Sequence, residues 1–115
     1  MFRIAPNIVQ DFHGCLWYDL GDGQRFFCKI VSGSNDPQLR DQWCGIDFSH
    51  PDKRDPSKRC MGYLGFKGFR DDGHAVWTKT GDENTLTLSP SIHCDLTKGG
   101  CGEHGFIENS RWRNA

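Results

Sequence analysis

Six cysteines, at positions 15, 28, 44, 60, 94 and 101, and five histidines are the side chains of this 115-residue sequence best equipped for chemistry. Thiolate sulfur and imidazole nitrogen are the usual donors of structural zinc sites. The densest cluster is Ile92-His93-Cys94-Asp95-Leu96-Thr97-Lys98-Gly99-Gly100-Cys101-Gly102-Glu103-His104. Its glycines tolerate the positive φ that tight curvature needs, so its donors can converge on one ion. No Cys-x-x-Cys knuckle is present, so a closed site has to recruit cysteines from elsewhere in the chain. An even number of cysteines also fits three disulfides, and buried free thiols are the third reading. The first ten residues, MFRIAPNIVQ, lack the pattern of a secretory signal. That points to a reducing, cytoplasmic setting, where disulfides are rare and metal ligation is favoured.

Other chemistry is thinly represented. There is no Gly-x-Ser-x-Gly elbow, so Ser89 and Ser91, which flank Pro90, read as a turn leading into the ligand loop and not as nucleophiles. No His-Glu-x-x-His or zinc-deaminase pattern occurs. Glu103, between Cys101 and His104, is the one carboxylate placed like a base beside a metal.

The elements that must position these groups are strands. No window holds helical periodicity over three turns, whereas short β-like runs recur between Gly, Asn and Asp. Expected strands are Cys15–Tyr18, Arg25–Val31, Met61–Phe66, His74–Thr78, Thr85–Ser89 and Gly105–Glu108. Asp19–Gly23 is expected to turn the first onto the second. Residues 32–42 and 50–59 read as polar loops, and a short helix is expected near Pro37 to Trp43. The length suits a single domain over 1–115. Hydrophobic residues make up only 36%, a small supply for a core, which a zinc worth on the order of 10 kcal/mol can offset. The expected fold class is mainly β, a small antiparallel domain stabilised by a Cys/His zinc site. With 14 basic against 15 acidic residues there is no bulk field toward nucleic acid or membrane, and no apolar run reaches the ~20 residues of a membrane span.

From Trp77 onward the sequence resembles a family of small bacterial and phage proteins of unknown function, numbered 6527. The resemblance is carried by Trp77, Gly81, Thr85-Leu86-Thr87-Leu88-Ser89-Pro90-Ser91-Ile92, Cys94, Cys101, His104 and Gly105-Phe106-Ile107. Phe26-Phe27-Cys28 and Arg59-Cys60-Met61 are similar to its upstream strands, with Cys44 competing for the place of Cys60. The resemblance implies a β-rich fold and a structural Cys/His zinc site, and no activity. The ligand set expected is Cys28, Cys60, Cys101 and His104, with Cys94 in reserve for Cys101. Cys15 and Cys44 are expected to be buried thiols, and His13, His50 and His74 surface histidines.

The function expected on this footing is a small phage or bacterial accessory protein, acting as a binding or regulatory module through a protein partner. Four tryptophans and eight phenylalanines exceed what a small core hides, so some are expected on a binding face. A small metal-dependent, hydrolase-like enzyme is the alternative. A nucleic-acid module is the other, on the basic and aromatic stretches at Lys53, Arg54, Lys58 and Arg59, at Phe66 to Arg70, and at Arg111-Trp112-Arg113.

Overall fold

The computed structural model describes residues 2–5, 7–31, 42–69 and 72–115. Eleven strands are formed among them: β1 (Phe2–Ala5), β2 (Ile8–Gln10), β3 (Leu16–Gly21), β4 (Gln24–Ile30), β5 (Trp43–Asp52), β6 (Asp55–Gly65), β7 (Thr78–Thr80), β8 (Thr87–Ser89), β9 (Ile92–His93), β10 (His104–Glu108) and β11 (Arg111–Asn114). The fold is mainly β and every strand pairing is antiparallel, as expected from the sequence. Strands β1 to β6 form one sheet in sequence order. Strands β11-β10-β9 form a second sheet, and β7-β8 a third.

Alternation along the strands builds the core. On β4, Phe26 faces inward and lies opposite Phe48 of β5, while Cys28 lies opposite Ile46. The period of two then puts Ile46, Phe48 and His50 on one face of β5, joined by Leu64 and Cys60 of β6, which pair with Ile46 and His50. Leu86, just before β8, and Leu88, Ile92, Ile107 and Trp112 from the two smaller sheets pack onto that face in a single cluster. Phe26, Ile46, Leu86 and Ile107 are completely enclosed. Truncating a ring there leaves a cavity as well as lost burial, so Phe26→Ala is expected to cost about 3–5 kcal/mol in denaturant unfolding.

Several boundaries differ from the sequence reading. The turn after β3 is tightened to Asp22-Gly23, both at positive φ. The polar stretch 50–59 is the end of a long hairpin, with β5 and β6 joined only by Lys53-Arg54. Its prolines are tolerated because β6 is the sheet's edge strand and Pro51 follows His50 near the hairpin end. Strand Thr78–Thr80 begins where the expected His74–Thr78 ends. The expected loop at 32–41 and most of the expected helix lie outside the described residues, and Trp43 opens β5. Many of the aromatic side chains point inward: Trp17 and Trp112 are buried, and Trp43, Phe69 and Trp77 pack against the core, while Phe12 is 85% exposed. Among the described residues no helix is long and apolar enough to cross a membrane.

Candidate functional site

Two groups of reactive side chains are assembled around strands β9 and β10 of the C-terminal sheet. The first is His50, Cys60, Cys94 and Cys101, whose donor atoms all lie within 4.8 Å of one another. His50 and Cys60 are direct cross-strand partners at the end of the β5–β6 hairpin. They reach inward because they share parity with Phe48 and Leu64. Cys94 and Cys101 come from the loop between β9 and β10. That loop folds back through Cys94 N–H to the Glu103 carbonyl (2.7 Å), Gly102 N–H to the Cys94 carbonyl (2.7 Å) and Gly100 N–H to the Asp95 carbonyl (2.7 Å). Gly100 is required at this crossing, since a Cβ there would meet the Cys94 carbonyl carbon at 2.5 Å.

The chemistry of this quartet suits a cation. His50 Nδ1 lies 2.9 Å from the Pro51 carbonyl, an acceptor only, so Nδ1 carries the proton and Nε2 is left free to ligate. The Cys101 backbone N–H donates to Cys94 Sγ at 3.3 Å. Ligands at 2.0–2.3 Å from one ion stand roughly 3.5–4 Å apart, inside the 4.8 Å that bounds the donor separations here. The His/Cys cluster can therefore hold a metal ion.

Protonation differs sharply within the cluster. Burial, a hydrogen bond with Cys101 and the neighbouring sulfurs push the Cys60 thiol up to about 12. Burial opposes ionisation of Cys101 too, but backbone N–H groups of Lys53 and Glu103 and the thiols of Cys60 and Cys94 outweigh it and hold Cys101 below the usual thiol value. A cation entering this site has to displace at least the Cys60 proton. Metal uptake is thus expected to release protons and to weaken as pH falls, which metal titrations in weakly buffered solution with a pH indicator would measure.

The second group is a pair. His104 Nε2 lies 2.9 Å from Ser91 Oγ. In β10, Gly105 and Ile107 are buried while His104 and Phe106 share the opposite, outer face. Ser91, just before β9, stands two residues from His93, the direct cross-strand partner of His104. Diagonal neighbours of this kind fall within side-chain reach. The Ser91 carbonyl accepts a hydrogen bond from the Trp77 indole at 3.3 Å, and the His93 ring stands 4.8 Å from that of His104. Ser91 is half-buried and His104 exposed.

The structure brings together two of the four residues in the sequence-based ligand set, Cys60 and Cys101, with Cys94 from the reserve. Cys28 is not in the group. It faces inward opposite Ile46, four strand residues or roughly 13 Å from the His50 position, and burial pushes its thiol up to about 11. His104 is not in it either, because its parity directs it to the outer face and to Ser91. Cys44 places its sulfur 3.5 Å from the Lys29 carbonyl. His50, expected at the surface, is only 4% exposed. The Ile46-Phe48-His50 alternation was the signal for it. Nothing comparable marked Ser91, whose partner lies 13 residues away with no motif between them.

Three arginines of the basic stretches are engaged within the fold, and Arg70 lies outside the described residues. Arg54 pairs with Asp52 at 3.0 Å, Arg113 pairs with Glu108, and Arg59 donates to the Ser49 hydroxyl and the Gly23 carbonyl. Phe66 and Trp112 between them are core residues.

No curated protein and no solved structure matches the chain. A family model does match its C-terminal part, and that match takes the place of the resemblance to the family of unknown function numbered 6527. It also corrects the expected function, since it points to an enzyme system and gives no support to a phage-derived binding module. Residues 59–115, which include Cys60, Ser91, Cys94, Cys101 and His104, match the family described as Bacterial ubiquitination-like system serine protease (BubE).

Proposed function

We propose that this chain is a serine peptidase of a bacterial ubiquitination-like system, with Ser91 as nucleophile and His104 as general base. The observation that carries the reading is the 2.9 Å approach of Ser91 Oγ to His104 Nε2 inside the segment that matches the protease family. A serine hydroxyl is a weak nucleophile until an adjacent base accepts its proton. Here Ser91 Oγ attacks the scissile carbonyl carbon as its proton passes to His104 Nε2. The tetrahedral intermediate collapses, the C–N bond breaks, and His104 returns the proton to the departing amine. Water, deprotonated by the same imidazole, then attacks the acyl-serine ester and regenerates the hydroxyl. The Trp77 indole, bonded to the Ser91 carbonyl, holds the backbone of the nucleophile in place. The open setting of the pair suits an extended protein segment.

Within this reading the metal is zinc. Three thiols and one imidazole form the Cys₃His donor set of closed, structural zinc sites, which leave no open position for a reacting water. The metal supports the fold and the serine does the chemistry. All six cysteines are unbridged, in keeping with a reducing, cytoplasmic setting. The partner is the protein substrate.

The test is incubation with a ubiquitin-like protein of such a system carrying a C-terminal extension or conjugate. Cleavage at the modifier's C-terminus is expected with the native protein and with its metal-loaded Cys15→Ser variant. Absence of cleavage of any extension or conjugate would contradict the proposal.

A further inference from the structure

We propose that the His50/Cys60/Cys94/Cys101 quartet, when it holds its metal, is the device that positions Ser91 against His104. This inference rests on the reading of that pair as nucleophile and base. It follows from where the two groups sit along the chain. Strand β9 is two residues long, with Ser91 immediately before it and Cys94 immediately after it. Strand β10 starts at His104, three residues beyond Cys101. Ser91 therefore lies at one end of this strand pair, and His104, paired with His93, lies at the other, next to the two metal donors.

That pairing cannot hold the geometry alone. It consists of two cross-strand partners, His104 with His93 and Gly105 with Ile92. So short a ladder is marginal without outside support. The loop from Cys94 to Glu103 offers little apolar support of its own. Cys101 is its one buried residue, and Leu96, its largest apolar side chain, is 61% exposed. Segments with few buried contacts open locally at low cost. A cation shared by Cys94, Cys101, His50 and Cys60 would pin this loop to the end of the β5–β6 hairpin, the longest in the large sheet. The other flank of the pair is held by the Trp77 indole on the Ser91 carbonyl. His50, Cys60, Cys94 and Cys101 are then positioning residues, and none of them touches the reacting atoms. A misplacement of about 1 Å in such a pair can cost roughly 10²-fold in rate.

The experiment compares the zinc-loaded full chain, the chelator-stripped chain and the stripped chain given zinc again. The covalent labelling rate of Ser91 by an organofluorophosphonate is read beside amide hydrogen exchange along the chain. Stripping is expected to slow labelling about 10²-fold. Exchange should rise most across 92–104, with β4 and β5 losing less protection, and zinc should restore both. His50→Ala should behave like the stripped protein. His50→Cys, which keeps four donors, should hold zinc and label at the native rate. Equal labelling with and without metal would overturn the positioning role and leave the nucleophile standing. Loss of protection in β4 and β5 as large as that across 92–104 would also overturn it, by making the metal a general stabiliser with no local effect on the pair. Failure of Ser91 to label in the zinc-loaded chain would remove the nucleophile reading, and this inference with it.

Discussion

Replacement of Ser91 by alanine is expected to lower kcat/KM for peptide-bond hydrolysis by at least ~10³-fold, with the fold intact. The side chain lost is one half-buried hydroxyl, and its removal opens no cavity in the core. His104→Ala should cost a similar factor, because a base without its nucleophile and a nucleophile without its base are equally inert. The double variant should therefore be little worse than either single one, the mark of residues that act as a unit. Circular dichroism on the same samples should show native β content. Ser89→Ala is the useful control. Ser89 lies in β8 opposite Thr78, on the far side of the cis Ser89–Pro90 peptide, and its loss should leave most of the activity. If Ser91→Ala retained native turnover while Ser89→Ala did not, the pair would have been assigned to the wrong hydroxyl.

The second large effect concerns the metal. Cys60→Ser and Cys101→Ser are each expected to abolish stoichiometric zinc in the purified protein. They should lower stability by on the order of 4–5 kcal/mol, since loss of a structural metal is among the few single changes that cost so much. In a domain of this size that moves the thermal midpoint down by more than ~10 °C. The enclosed Phe26, Ile46, Leu86 and Ile107 make a core that does not depend on the ion, so the sheets should persist at room temperature without it. Cys28→Ser and His104→Ala make the opposite prediction. Neither residue lies in the quartet, so both variants should keep one zinc per chain. Metal analysis of these four proteins separates the ligand set expected from the sequence from the one assembled in the structure.

The difference between those sets shows what could be read from residues alone. Strand identity was legible wherever apolar side chains alternated between turns, as in Arg25–Val31 and Gly105–Glu108. It failed over 50–59, where two prolines and a run of charges disguised the end of a hairpin. Pro56 fits there because the edge strand β6 leaves one row of backbone donors unpaired, and Pro51 because it sits near the hairpin end of β5. The Cys94–Cys101 loop was legible from its glycines. Cys60 was legible as a ligand, but its companion was not, because His50 belongs to the quartet only through cross-strand register. Cys28 shows the converse. It has the right element and the right face, yet stands roughly 13 Å too far along the strand. The Ser91–His104 pair was the least legible feature. It depends on which face each strand presents outward, and Ser91, next to a proline and a metal loop, reads locally as turn chemistry.

The pairing of Ser91 and His104 as nucleophile and base is tested most directly by one covalent bond. Zinc-loaded protein treated with an organofluorophosphonate, then digested and mapped by mass spectrometry, should carry a single adduct on Ser91 Oγ, and His104→Ala should carry almost none. An unmodified Ser91, or an adduct that forms equally well without the His104 imidazole, would contradict it.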